Sequence, residues 1–157
     1  LIDLIHLILG APEKVIPYLR NALPEESGAC DNGLAVLEYP NATCTVRASS
    51  VEVNGYGRRQ LVVCGTKGTI EIKPLERPTH TTLARIEKIQ NHYADTKEVL
   101  TFEGNGDRYD AQVRDFAAIV LGEKADPYGY AHDLAVHKTT LKACGYGPEE
   151  LNASIDQ

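Results

Sequence analysis

The clearest hydrophobic pattern in the chain is a pair of β-rich runs around one polar turn. The runs cover Gln60 to Cys64 and Thr69 to Ile72, and Gly65-Thr66-Lys67-Gly68 joins them. In the second run, Ile70 and Ile72 alternate with polar residues, the period of two that marks a strand with one solvated face. The first run carries apolar residues on both faces, which places it inside a sheet. We therefore predict a β-hairpin at the centre of an antiparallel sheet.

Further strands are predicted on both sides of this hairpin. Short turns lead from two earlier strands into the hairpin, a pattern that predicts an antiparallel meander. Pro17 cannot donate a ladder hydrogen bond, so the first strand belongs at a sheet edge or a bulge. A polar loop at residues 90–96 separates the last two strands. The additional strands are predicted at residues 13–21, 33–39, 42–53, 82–89 and 97–102.

Helical patterns lie at both ends of the chain. Leu1 to Leu9 is apolar nearly all round and is followed by Gly10, so we expect a helix that is covered on both sides. Apolar residues at helical spacing predict two more helices, at residues 107–122 and about 130–144. These elements predict an α+β fold, with a predominantly antiparallel sheet of about six strands, helices on one face and an open face opposite.

The opening helix also indicates how the sequence begins. Helices ordinarily start with a Ser, Thr, Asp or Asn cap, and no such residue precedes this one. The chain contains no methionine either. We therefore expect the sequence to begin inside an element of a longer protein.

Composition narrows the classes of partner. The 157 residues are enough for one domain, and a net charge of −6 without any basic run argues against nucleic acid and anionic membranes. The apolar run at the start is too short to span a bilayer and lacks the features of a signal peptide.

The four cysteines are irregularly spaced and do not accompany paired histidines, which disfavours a zinc site. Cys44, Cys64 and Cys144 fall within predicted elements, where buried free thiols are usual. This cysteine usage indicates reduced thiols and a cytoplasmic setting, and it is also compatible with one disulfide.

Three groups of polar residues are candidates for function, and each can equally be a solvated or locally paired set. The first lies on the opening helix, where a titratable group on an apolar face needs a partner or a function. The second precedes the hairpin, where an Arg can bind a carboxylate or a diol. The third lies on the last helix, where two histidines five residues apart do not form a metal pair, while an Asp and a His at i, i+4 can pair. The first group is Asp3 and His6, the second is Tyr56, Arg58, Arg59 and Gln60, and the third is His132, Asp133 and His137.

No motif for a cofactor or a nucleophile is apparent. Asn54-Gly55-Tyr56-Gly57 precedes a strand rather than opening a helix, so it is not a dinucleotide-binding fingerprint. The chain has neither a phosphate-binding P-loop nor a nucleophile elbow. The residues alone assemble no complete active site.

The order of elements, with the segments IDLIHLILG, VVCGTKGTIEI and HDLAVHKTTLKACG, resembles a known domain. It is similar to the C-terminal domain of the glucose–fructose oxidoreductase / inositol dehydrogenase / rhizopine-catabolism (Gfo/Idh/MocA) oxidoreductases, over essentially residues 1–157. The resemblance implies a preceding Rossmann domain that binds NAD or NADP. It also implies that this domain shapes a pocket for a sugar, inositol or related polyol and forms a dimer or tetramer through its open sheet face.

The resemblance also implies site residues. Asp3 matches a position that often hydrogen-bonds a substrate hydroxyl, and Tyr56 and Arg59 fall near the strand start from which members reach the substrate. The catalytic histidine would lie immediately before Leu1, and the catalytic lysine in the Rossmann domain. We therefore expect no catalytic, cofactor-binding or metal-binding residue in this chain, and no activity from it alone, because hydride transfer needs a bound nicotinamide and an acid/base group.

Two hypotheses follow. The first is the substrate-binding and oligomerisation domain of an NAD(P)-dependent oxidoreductase. The alternative is a self-standing α+β interaction or scaffold domain. We expect a dimer in which the sheets pack face to face, and the sequence does not choose which of the two faces is outward. The candidate contributors are Val62, Cys64, Val46 and Ala48.

Overall fold

The computed structural model describes residues 1–23, 30–75, 80–85, 96–101 and 109–149. In these residues the backbone forms three α-helices and seven strands, and the predicted α+β class is confirmed. The chain divides into two compact units: a first unit of residues 1–52 and 127–157, and a second unit of residues 53–126. The elements are α1 (Ile2–Leu9), β1 (Lys14–Arg20), β2 (Asn32–Tyr39), β3 (Ala42–Ser49), β4 (Leu61–Gly65), β5 (Gly68–Ile72), β6 (His80–Arg85), β7 (Thr96–Thr101), α2 (Asp110–Val120) and α3 (Gly129–Ala143).

All pairings between these strands are antiparallel, as predicted, but the strands form two sheets. The first has the order β1-β2-β3 and the second the order β4-β5-β6-β7. The predicted loop at residues 90–96 lies mostly outside the described residues, as do the C-terminal ends of the predicted strands at 82–89 and 97–102.

The first sheet has one face covered by helices. Pro17 lies on β1, at an edge of the sheet and opposite Ala35, as its missing N–H requires. The register places Val15, Leu37 and Cys44 side by side on one face. Strand β3 ends at Ser49, four residues earlier than the sequence predicts.

The core of the first unit lies between this sheet face and the helices. Ile5 of α1 packs with Ala35 and Leu37 of β2, and Leu37 is completely buried. Partly buried residues surround them: Val15, Tyr39, Cys44, Val46 and Ala143. The described residues cover only one side of α1, contrary to the prediction from its apolar sequence, because Leu7, Ile8 and Leu9 are exposed.

The hairpin of the second unit has the predicted alternation but a different place in the sheet. Ile70 pairs with Val63 and Ile72 with Leu61, so these four residues share one face. Strand β4 lies at the edge of the sheet order rather than at its centre, and Val62 on its other face is 42% exposed. Apolar residues on both faces of a short run therefore did not mark a central strand here.

Helix α2 of the second unit carries a row of exposed apolar residues. Its exposed fractions run from 57% at Tyr109 to 71% at Leu121, with Val113, Phe116 and Val120 between them. None of these side chains is buried by the part of the chain that the structure describes. A row of exposed apolar residues on a helix is typical of an interaction surface.

The cysteines are free thiols, and two of them, Cys64 and Cys144, are more exposed than the sequence indicates. Cys30, Cys64 and Cys144 are exposed, and Cys44 is half-buried beside the core. Burial raises the pKa of the Cys44 thiol. None of the helices in the described ranges has the length and apolar character needed to cross a membrane.

Candidate functional site

A cluster of polar side chains joins α1 to α3 in the first unit. Asp3 and His6 lie three residues apart on α1, and His132 and Thr139 lie seven apart on α3, so each pair occupies one face of its helix. We call these four residues the α1–α3 polar cluster. It brings together two of the three groups that the sequence singled out.

The buried half of the cluster is a single hydrogen bond. The Nε2 atom of His6 lies 2.9 Å from the Oγ1 atom of Thr139, and both residues are buried. A buried imidazole or hydroxyl without a partner would be costly, so each group satisfies the other. This bond ties the polar side of α1 to α3 next to the core residue Ile5.

The outer half of the cluster pairs Asp3 with His132. The Nε2 atom of His132 lies 2.8 Å from Oδ1 of Asp3. Because a carboxylate accepts, Nε2 of His132 must carry the proton and donate it. The His132 ring also contacts Tyr128, with ring centroids 5.2 Å apart, and meets the His6 ring edge-on at 6.3 Å.

Burial and a neighbouring ring lower the pKa of His6. The main cause is desolvation, which disfavours the imidazolium form, and His132 adds to the effect while Asp3 opposes it. The folded state therefore favours neutral His6 at neutral pH.

The lowered pKa of His6 predicts a pH dependence of stability. The pKa of His6 in the folded state lies below the ordinary histidine value of 6.5, so its contribution is fully present above that pH and is lost as the pH falls below it. We expect the free energy of unfolding of the first unit to decrease more steeply with acid in the wild type than in His6→Gln. Amide exchange in α1 and α3, followed from about pH 8 to pH 5, measures this difference.

His137→Gln is the matched control, since His137 is exposed on α3. It should leave the wild-type pH profile unchanged. Equal acid sensitivity of the wild type and His6→Gln would show that His6 carries no such contribution.

Tyr56 and Arg59 lie next to each other in the second unit. A 3₁₀ turn at Gly55–Arg58 follows Asn54, whose φ of 56° is left-handed. This turn places the Arg59 guanidinium over the Tyr56 ring, 5.6 Å from its centroid, in a cation–π contact. Both residues are exposed, and their assignment to substrate binding stays a prediction.

The predicted site residues thus fall in different parts of the fold. Asp3 lies in the first unit beside His132, whereas Tyr56 and Arg59 form a pair of their own in the second unit. Asp133 and His137 are exposed, and the described residues include no ion pair between them. The pairing of His132 with Asp3, 129 residues away, was not predicted because sequence spacing reports neighbours only within one helix.

The described residues contain no metal-binding group, since no three His, Cys, Asp or Glu side chains among them converge. They also offer no fit for a dinucleotide. Residues Asn54 to Gly57 form the start of a 3₁₀ turn before β4, rather than a glycine turn between a strand and an α-helix.

Comparison with known proteins supports the family resemblance for the first part of the chain. Residues 1–71, which include α1 to β4, match the sequence model of the GFO/IDH/MocA C-terminal domain. The match confirms the resemblance drawn from the opening helix and the hairpin, over residues 1–71. A search of curated protein sequences gave no significant match.

Solved structures share the fold over nearly the whole chain. Candidate oxidoreductases from Klebsiella pneumoniae, Bacillus subtilis (yvaA) and Yersinia pestis each align with a TM-score of 0.64. Their sequence identities are 16%, 14% and 17%, over 97%, 98% and 98% of this chain. The chain spans only 50%, 46% and 46% of their lengths, so it corresponds to about half of each.

Proposed function

We propose that the chain is the C-terminal domain of an NAD(P)-dependent oxidoreductase that acts on a sugar, inositol or related polyol. In this proposal residues 1–157 supply part of the substrate pocket and the oligomer interface of a cytoplasmic enzyme. The observation that carries it is the family match over residues 1–71, which contain Asp3, Tyr56 and Arg59. The shared fold with structures about twice as long is consistent with it.

The three predicted site residues have the chemistry that a polyol needs. The Asp3 carboxylate accepts hydrogen bonds from hydroxyl groups, and the Arg59 guanidinium donates them in a fixed fork. The Tyr56 hydroxyl does both, and its ring can lie against an apolar sugar face. All three side chains are accessible to a ligand.

The nicotinamide cofactor belongs to a different domain in this proposal. The described residues include no strand–glycine turn–helix for the pyrophosphate, and in this proposal an N-terminal Rossmann domain binds NAD or NADP. The catalytic lysine would come from that domain, and the catalytic histidine from the position immediately before Leu1. Residues 1–157 alone are then expected to be inactive.

The exposed apolar surfaces support an assembly role. Val62 and Cys64 are exposed on one face of the second sheet, and the apolar row of α2 is exposed as well. Ala48 is exposed, but Val46 packs against the core and does not contribute to an outward face. The same surfaces would serve the alternative function, a self-standing interaction or scaffold domain. The exposed apolar row of α2 is the observation that favours this alternative.

The test is an assay of the complete open reading frame that contains this sequence. We expect its product to form dimers or tetramers and to reduce NAD or NADP with a sugar or polyol, and residues 1–157 to show no turnover. Asp3→Asn should lower kcat/KM by about tenfold, through loss of a charged hydrogen bond. Asp133→Asn is the control, because Asp133 is an exposed carboxylate of α3.

The two functions give different outcomes. An open reading frame that begins near Leu1, or a product that reduces neither cofactor with any polyol tested, would contradict the oxidoreductase. A product that instead binds another protein through α2 would favour the interaction domain.

A further inference from the structure

Asp3 by itself is poorly fixed for recognition. It is the second residue of α1, in the exposed first turn, and its side chain is 58% exposed. Leu1 precedes the helix without a capping side chain, so no side-chain hydrogen bond caps this turn. A carboxylate that samples several rotamers must lose that freedom when a ligand binds, which weakens binding.

His132, in contrast, is held from two sides. Its side chain is only 21% exposed, with Tyr128 against one side of the ring and the His6 ring meeting it edge-on. His6 is itself fixed by the buried bond to Thr139. The position of the His132 Nε2 atom is therefore set by the packing of α1 on α3 and not by solvent.

The Asp3–His132 hydrogen bond uses only one carboxylate oxygen. Nε2 of His132 donates to Oδ1 at 2.8 Å, and within the described part of the chain Oδ2 has no hydrogen-bond partner. A rigid donor on one oxygen orients the other, as outer partners do for ligating carboxylates and histidines. The arrangement presents Oδ2 in a fixed direction as an acceptor.

We propose that His132 is a positioning residue, which holds the Asp3 carboxylate so that Oδ2 can accept a hydrogen bond from a hydroxyl group of the ligand. The inference rests on the proposed function for the identity of that ligand, a neutral polyol. The observation behind it is the 2.8 Å bond from a half-buried, ring-packed imidazole to an exposed carboxylate. An anionic ligand is disfavoured at this position, because it would meet the Asp3 charge.

A pair with a purely structural role would have the same geometry. Exposed ion pairs often contribute little, and the Asp3–His132 pair could simply add to helix packing. The two roles differ in what they predict for the Asp3 side chain. Positioning requires that Asp3 lose its fixed rotamer without the His132 donor while the His6–Thr139 bond persists.

The experiment is nuclear magnetic resonance on the isotope-labelled 157-residue chain, with three-bond couplings reporting the Asp3 rotamer. We expect one dominant Asp3 rotamer in the wild type, averaged couplings in His132→Leu, and recovery in His132→Gln, whose amide nitrogen can occupy the place of Nε2. His137→Leu, at an exposed site on the same helix, is the matched control and should match the wild type.

Two results would overturn the inference. One is an Asp3 rotamer that stays fixed in His132→Leu. The other is averaging that occurs only together with loss of the contact between the His6 ring and the Thr139 methyl group, which would indicate undocking of α1.

A titration with myo-inositol, with D-glucose as a second probe, tests the ligand separately. We expect the Asp3 carboxyl carbon signal to respond in the wild type, and binding to weaken by up to about tenfold in His132→Leu, the effect of freeing one side chain. Equal binding in both proteins counts against positioning. If the wild-type signal does not respond to either probe, the proposed function is contradicted but the positioning role is not. The three-bond couplings of Asp3 decide that role separately.

Discussion

Leu37→Ala is expected to lower the free energy of unfolding of the first unit by about 2–5 kcal/mol, the cost of emptying a fully buried leucine site. Leu37 is the one residue of the core cluster with no exposed surface, and it lies on the middle strand of the first sheet. Strands on both sides and the helices above limit how far the site can collapse, so a cavity should remain. The substitution combines lost transfer free energy with that cavity.

Leu34→Ala provides the comparison on the same strand. Leu34 lies on the opposite face of β2 and is exposed, so its truncation should cost about 1 kcal/mol or less. Urea unfolding followed through signals of α1 and α3 measures both variants, which keeps the second unit out of the comparison. Equal losses in the two variants would contradict the assignment of the core to the Leu37 face.

The Leu37 variant also connects the core to the candidate site. Ile5 packs in the same cluster, one residue before His6 on α1. We therefore expect Leu37→Ala to loosen the docking of α1, and with it the bonds His6–Thr139 and Asp3–His132. Faster exchange of the Gly10 amide, which donates to the His6 carbonyl at 2.8 Å, would report this loosening.

Gly145→Ala is expected to be the second most destabilising change, at about 1–3 kcal/mol. Gly145 follows α3 with a φ of 89°, a conformation that side chains with a Cβ rarely adopt. A Cβ atom there would also lie 2.9 Å from the Cδ1 atom of Leu19 on β1, closer than two carbon atoms can pack. Backbone strain and a steric clash therefore act together.

A double-mutant cycle separates the two causes. In a Leu19→Ala background the clashing atom is absent, so Gly145→Ala should cost less than in the wild type, with the remainder due to backbone strain. Urea unfolding of the four proteins gives the coupling energy. A coupling of zero would mean that Leu19 moves aside freely and that the backbone alone sets the cost.

The local structure of the chain follows closely from its sequence. Strand alternation, the antiparallel class and the edge position of the strand with Pro17 are all predicted by spacing and by the missing proline N–H. Gly10, with a φ of 77°, ends α1 as predicted. These features depend on residues within a few positions of one another, which is why local patterns are sufficient.

The arrangement of the elements was harder to predict. Apolar residues on both faces of β4 indicated a central strand, but β4 lies at a sheet edge with Val62 exposed. The apolar circumference of α1 likewise indicated a helix covered all round, whereas the described part of the chain buries only the side of Ile5 and His6. Apolar composition shows that a surface can be buried, and it does not show which neighbour buries it.

The candidate site divides in the same way. The sequence by itself marked Asp3 and His6 as polar residues on an apolar helix and, through the family resemblance, assigned Asp3 to substrate binding. Only the tertiary structure showed that His132 donates to Asp3 and that Thr139 satisfies His6. The physical reason is distance along the chain: these partners are more than 120 residues apart, and helical periodicity fixes the face that a residue occupies but not the helix that packs against it.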